Sequence, residues 1–205
     1  MSAVSRANEP ITLDVSALPT VAFGKRSPMW WGIVLFCVIE GMTLALMYAS
    51  YLYVRGNFDV WPPSGSMNPV PIVVEGGTLL ASLVPMWFCR KAAVAMDLAR
   101  ARRWLLLGTV IGVLAVPIRI WWIASLPFLW NENAYASIVW TSIGFHCVEG
   151  TAGVLENVFL SILLFRGPVE KKHFEDIEVN VLFWAFVVLV WMPFIVTFAT
   201  DGVLR

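Results

Sequence analysis

Residues 179–200 read VNVLFWAFVVLVWMPFIVTFAT, a continuous apolar run without a charged side chain. A helix needs about 20 apolar residues to cross the hydrocarbon core of a bilayer, so this run predicts a transmembrane helix. Four more stretches meet the same criterion, at about 29–54, 70–95, 103–126 and 136–165. The sequence therefore predicts an all-α fold, a polytopic membrane helix bundle with five transmembrane helices.

The overall composition supports this prediction and excludes several function classes. Of the 205 residues, 59% are hydrophobic, whereas about half are apolar in an ordinary globular domain. Lys plus Arg and Asp plus Glu both number 14, so the net charge indicates no nucleic-acid partner. No phosphate-binding glycine loop, nucleophile elbow or HExxH motif occurs. We expect no catalytic residue in this chain, which leaves open whether it belongs to an enzyme complex.

The distribution of basic residues predicts the orientation, because Lys and Arg accumulate in cytoplasmic loops. Residues 1–28 form a predicted polar arm without the early apolar core of a cleavable signal, and residues 29–205 form the transmembrane domain. One predicted side holds Arg55 and Arg205. The other holds Arg6, Lys25, Arg26, Arg90, Lys91, Arg100, Arg102, Arg103, Arg166, Lys171 and Lys172. We therefore predict a cytoplasmic N-terminus, a C-terminus outside, and a plasma-membrane location.

Ionisable residues at membrane depth require a partner or a role. At 1.5 Å per residue, Glu40 lies roughly 15 Å into the first span, and His146 and Glu149 reach roughly the same level from the opposite side. The three side chains are therefore candidates to meet inside the bundle. Two interpretations of Glu40 remain open. In the functional one it is a proton-accessible carboxylate or makes a polar contact with another subunit. In the structural one it is a protonated, hydrogen-bonded group that joins helices.

Two further sets of polar residues lie within the spans. Glu75 and Arg119 fall at similar depth and suggest a structural ion pair; the alternative is that Arg119 extends to the membrane surface. His146, Glu149 and Glu156 are spaced to form a polar stripe on one face of the fourth span, facing the bundle interior. The His-to-Glu spacing is also found in metal sites. The chain has only two histidines, however, and we expect no metal or haem in it.

Short motifs follow one another in a distinctive order. A glutamate-bearing helix precedes a Trp-Pro-Pro turn, a later helix carries Gly-Phe-His, and the last helix begins near a glutamate and carries Phe-Trp. The residues are Glu40, Trp61, Pro62, Pro63, Gly144, Phe145, His146, Gly153, Glu178, Phe183 and Trp184. Over about residues 30–200 this order resembles subunit III of haem-copper terminal oxidases (cytochrome c oxidase subunit 3), particularly its short five-helix bacterial form.

The resemblance implies an accessory, metal-free subunit of the aerobic respiratory chain. It would dock on the catalytic subunit I, together with subunit II, and support proton uptake and stability while the complex reduces oxygen and translocates protons. Haem and copper would belong to those partners, and phospholipid would be a bound ligand. By position, Glu40 corresponds to the family's buried carboxylate that reacts with carbodiimide.

The sequence also departs from the family pattern. The family usually has a second histidine three residues after the first, where this chain has Glu149, and a histidine and an aspartate where this chain has Ala185 and Val188. These departures indicate a divergent branch. The alternatives are an accessory subunit of a quinol oxidase or nitric oxide reductase or, from a different class, a small ion or proton carrier.

Overall fold

The computed structural model describes residues 26–201, which form five α-helices and no β-strand. The helices are α1 (Pro28–Arg55), α2 (Pro69–Val94), α3 (Leu98–Ala124), α4 (Ala134–Arg166) and α5 (Lys172–Thr200). All five are long and apolar enough to cross a membrane, so the predicted all-α membrane bundle is confirmed. The predicted N-terminal arm lies almost entirely outside the described residues.

Four of the helices begin at a polar side chain that accepts a hydrogen bond from a backbone amide of the first turn. These caps are Ser27, Asn68, Asp97 and Asn133. Such a cap satisfies one of the amide groups that a helix start leaves without a partner. The short connections between spans thus contain the residues that start the next helix.

Two helices begin earlier than the apolar runs that predicted them. α3 starts at Leu98 rather than near 103, and α5 starts at Lys172 rather than near 179. Hydropathy detects only the part of a helix that lies in hydrocarbon, whereas charged residues can continue the same helix into water. The first turns of α3 and α5, with Arg100 and Glu175, are such extensions.

α5 lies at the centre of the bundle and contacts α1, α2 and α4. α2 packs extensively on both α3 and α5, and α3 also contacts α4. α1 contacts α4 and α5 only, among the five helices described. Its only buried residues are Leu44 and Tyr51, so α1 is a peripheral helix.

The indole of Trp184 joins four helices at one level of the bundle. It projects from α5 and donates a hydrogen bond from Nε1 to Ser82 Oγ of α2, at 2.8 Å. A Cβ atom added to Gly153 of α4 would lie 2.9 Å from this ring, and one added to Gly112 of α3 would lie 3.2 Å away. The close approach of the helices to the indole therefore requires glycine at position 153 and leaves little room for a larger residue at position 112.

Candidate functional site

A buried arginine joins three helices near one level of the bundle. Arg119 of α3 forms an ion pair with Glu75 of α2, and its Nη2 lies 2.7 Å from His146 Nδ1 of α4. The guanidinium also lies 5.2 Å and 5.1 Å from the ring centroids of Trp122 and Trp191. Removing one partner from a buried ion pair leaves an uncompensated charge and typically costs about 3–5 kcal/mol. This cluster therefore holds α2, α3 and α4 in register.

The hydrogen bonds of His146 define the protonation of its ring. Val187 O lies 3.1 Å from His146 Nε2, and because a carbonyl oxygen only accepts, Nε2 carries the hydrogen. Nδ1 is then the acceptor for Arg119, and the ring stacks on Trp191 with centroids 4.3 Å apart. Both ring nitrogens are engaged within the protein, which leaves neither as a metal ligand.

A cavity of about 210 Å³ borders this cluster and has a mostly apolar lining. Glu75 and Arg119 contribute its polar wall, and residues of α2, α3, α4 and α5 complete the lining. Glu75 Oε2 is buried without a hydrogen-bond partner. The cavity can accommodate an apolar chain beside a polar wall.

Glu149 faces a different neighbour from His146. Its side chain is buried, and neither carboxyl oxygen has a hydrogen-bond partner. The charge that acts on it is that of Glu40 on α1, which is half-buried. Cys37, one turn before Glu40, lies within range of both carboxyl groups. The α1–α4 interface thus brings two carboxyl groups together at membrane depth.

The expected polar stripe on α4 is therefore divided rather than continuous. His146 bonds to α3 and α5, whereas Glu149 interacts with α1. Glu156 is only half-buried. Residues three apart on a helix are about 60° apart around its axis, which is enough to direct neighbouring side chains into different interfaces. The spacing alone did not reveal this division.

The predicted Trp-Pro-Pro turn contributes Trp61 to an aromatic cluster at one end of the bundle. The Trp61 ring lies 4.7 Å from that of Tyr135 and 5.5 Å from that of Tyr51, between centroids. Pro62 and Pro63 are half-buried beside it. The turn therefore fills the space between the ends of α1 and α4.

Asp201 is buried at the centre of the same end of the molecule. It accepts hydrogen bonds from Tyr51 Oη and from Trp61 Nε1, the latter at 3.1 Å, and its Oδ1 lies 3.8 Å from Arg55 Nη1. Burial raises the pKa of the Asp201 carboxyl above its usual range, against the opposing effect of these partners. Asp201 thus connects the end of α5 to α1 and to the following turn.

At the opposite end, the start of α1 bonds to the first turns of α5. Arg26 Nη1 forms an ion pair with Glu178 Oε2 at 3.1 Å, and the backbone amide of Ser27 donates to Glu175 Oε1 at 3.2 Å. Glu178, noted in the sequence for its match to the family pattern, is therefore a contact residue for α1.

Sequence reasoning missed the Asp201 cluster and a second group of buried polar residues. Asn180 Nδ2 of α5 donates to Asn157 Oδ1 of α4 at 3.0 Å, and the hydroxyls of Thr109 and Ser161 lie 3.2 Å apart. Depth counting, which suggested the Glu75 and Arg119 pair, would not have paired Asn157 with Asn180, because the predicted span 179–200 starts one residue before Asn180. The two residues come to similar levels only because α5 starts at Lys172. In residues 26–201, no group of three or more His, Cys, Asp or Glu side chains is arranged to hold a metal ion.

Comparison with known proteins agrees with the architecture. The family model described as cytochrome c oxidase subunit III matches residues 17–202. Cytochrome c oxidase subunit 3 of Synechocystis is 26% identical over 169 residues, covering 79% of this chain and 71% of that protein. Its counterpart in Thermostichus vulcanus is 22% identical over 172 residues, covering 78% and 81%.

A third relative, the probable cytochrome c oxidase subunit 3 of Mycobacterium leprae, is 26% identical over 168 residues, with 78% of this chain and 82% of that protein covered. The identities are low, but the family match extends from before α1 to beyond α5. This chain belongs to the cytochrome c oxidase subunit III family and is an accessory subunit of a haem-copper oxidase, with five helices in a bacterial plasma membrane.

Proposed function

We propose that this subunit docks on the catalytic subunit I, together with subunit II, of a cytochrome c oxidase and supports proton uptake and stability without carrying electrons itself. The family match over residues 17–202 supports docking on such a complex. The bonding of His146, whose two ring nitrogens are engaged by Arg119 and Val187, supports a subunit that carries no electrons. Haem and copper are accordingly assigned to the partner subunits. The names of the relatives favour cytochrome c as electron donor over a quinol.

The orientation belongs to the same proposal, with the N-terminus in the cytoplasm and the C-terminus outside. Basic residues gather at the end of the bundle where α1 begins, and this distribution is typical of a cytoplasmic surface. They are Arg26, Arg90, Lys91, Arg100, Arg102, Arg103, Arg166, Lys171 and Lys172. Among the described residues, Arg55 lies at the other end.

We assign the remaining exposed surfaces to lipid and to partner subunits. Every helix presents large apolar side chains outward, for example Leu46, Val84, Val113, Phe159 and Val196. The cavity beside Arg119 is a candidate position for the acyl chain of a bound phospholipid, because its lining is mostly apolar and it reaches a buried cation.

Purification of the intact assembly tests the docking proposal. The chain would carry an affinity tag and be extracted from its native membrane in a mild detergent. We expect a complex of several polypeptides whose visible spectrum shows haem. A haem-free oligomer of this chain alone would contradict the proposal and favour the small carrier.

A pair of carboxyl variants tests the role in proton uptake. Glu40→Gln should assemble with normal haem content but slow proton uptake during sustained turnover, because it removes a carboxyl at membrane depth. Glu170→Gln is the matched control, since Glu170 is an exposed carboxylate in the loop before α5. Equal proton uptake in the two variants would remove Glu40 from the proposal.

A further inference from the structure

The carboxyl group of Glu149 is in an unusual position for a membrane protein. Its residue is 6% exposed, and both oxygens are buried without a hydrogen-bond donor. A carboxylate buried in this way without a donor or a cation is strongly disfavoured in hydrocarbon. A proton on one of the carboxyl groups at this interface would supply such a donor.

Within residues 26–201, the ionisable groups that approach Glu149 do not include a cation. Glu40 and Cys37 approach it from α1. On α4 itself the next ionisable group toward the C-terminus is Glu156, two turns away, and it carries the same sign of charge. In the sequence of α5, residues 181–200 contain no titratable side chain.

Arg119 of α3 is a basic residue at membrane depth, but it is bonded to other groups. Its nitrogens bond to Glu75, to His146 and to the carbonyl oxygen of Ile143. Glu40 of α1 is instead the ionisable group that interacts with Glu149. Two adjacent carboxyl groups avoid facing negative charges when they share one proton.

We propose that Glu40 and Glu149 form one proton-binding site at membrane depth, in which the protonated carboxyl of one residue donates a hydrogen bond to the other. The bound proton supplies the donor that Glu149 lacks and removes one of the two charges. The half-buried Glu40 is the member that can exchange the proton with the exterior of the bundle.

This inference extends the role proposed for Glu40 and adds Glu149 as a second functional residue. It also gives a physical meaning to the departure at position 149, where the family usually has histidine. A histidine beside Glu40 would offer a nitrogen partner, whereas a second carboxyl makes the proton itself the bridging group.

The test is labelling of the intact complex at neutral pH by dicyclohexylcarbodiimide, an apolar reagent that reacts with protonated carboxyl groups. In Glu149→Gln, labelling of Glu40 should fall several-fold, because the neighbour that shares its proton is gone. Glu156→Gln, a carboxyl change on the same helix, should leave the labelling of Glu40 at the wild-type level.

An infrared titration of the same variants provides the second measurement. The wild-type complex should show a protonated-carboxyl band at neutral pH that weakens in both Glu40→Gln and Glu149→Gln. Unchanged labelling of Glu40 in Glu149→Gln, or a band that persists unaltered in one of the two variants, would overturn the shared site. Haem content is measured for every variant, so that a failure of docking is distinguished from a failure of the carboxyl pair.

Discussion

α5 and α1 run in the same direction through the bundle, yet they are held in place in different ways. α5 buries thirteen residues against its neighbours, whereas α1 buries two. The position of α5 is determined along its whole length by packing. α1 packs through few residues in its middle, such as Leu44, and its polar contacts include Arg26 and Ser27 at one end and Tyr51 near the other.

This difference shows that similar hydropathy does not imply a similar structural role. Both helices are strongly apolar, and α1 contains many large hydrophobic side chains. In lipid, however, apolar surface gives no driving force for helix association, which depends on close packing and polar contacts. The predictions below test whether α5 is stabilised by packing and α1 by its end contacts.

The largest contrast is expected between tryptophans of the two helices. Trp184→Ala in α5 should destabilise the protein by about 3–5 kcal/mol, because it creates a cavity among four helices and removes the bond to Ser82. Trp31→Ala in α1 should cost at most about 0.5 kcal/mol, since that side chain is 42% exposed. Thermal denaturation in detergent measures both, and equal losses would contradict the contrast.

A smaller effect is expected from the glycines of α4. Gly153→Ala should cost about 1–3 kcal/mol, because the new methyl group would lie too close to Trp184. Gly150→Ala is the matched control, since no atom lies within 4 Å of its added Cβ. It should be neutral or stabilising by up to about 1 kcal/mol. The same denaturation experiment would show whether the close approach to the indole matters.

The attachment of α1 at Asp201 should depend on hydrogen bonding. Asp201→Ala leaves Tyr51 and Trp61 without their acceptor and should cost about 1–3 kcal/mol. Asp201→Asn keeps an acceptor oxygen and should cost less. If both substitutions have the same effect, the acceptor role is wrong.

The pKa of Asp201 also predicts a pH dependence. Because burial raises this pKa in the folded protein, the carboxyl's stabilising contribution is complete below its unfolded value near 4 and is lost as pH rises through the folded value. Denaturation temperatures measured across this range should therefore decline more in the wild type than in Asp201→Asn. A parallel decline in both would contradict the assignment.

The smallest effect is expected where α1 begins. Arg26→Ala removes an ion pair with Glu178 in which the arginine side chain is 45% exposed. Exposed ion pairs contribute about 0.2–1 kcal/mol, and salt should diminish even this difference. A loss larger than that of Asp201→Ala would show that α1 is held mainly at its first turn.

The fold was predictable from sequence to a greater extent than the arrangement of its helices. The length of an apolar run is set directly by the bilayer, so runs such as 179–200 indicate spans without any knowledge of neighbours. Depth counting also placed Glu75 and Arg119 at one level, where the structure has them in contact. Such counting gives the position of a residue along the membrane normal, but not its position within the membrane plane.

The remaining coordinates depend on the rotation and the neighbours of each helix. Nothing in the apolar run of α1 indicated that it would be peripheral, and the spacing of His146 and Glu149 did not reveal that they face different helices. Asp201 was overlooked because it follows the last apolar run, where a charge is ordinary. Its role follows from the proximity of Tyr51 and Trp61, which are distant in sequence.

The contacts of α1 have a consequence for the biosynthesis of this subunit. α1 is translated before the two helices it contacts, α4 and α5, and α2 and α3 come between them. It must therefore remain in the bilayer without these neighbours until both have been made. During that interval Glu40 lacks its contact with α4, so α1 enters the membrane most easily with that side chain uncharged.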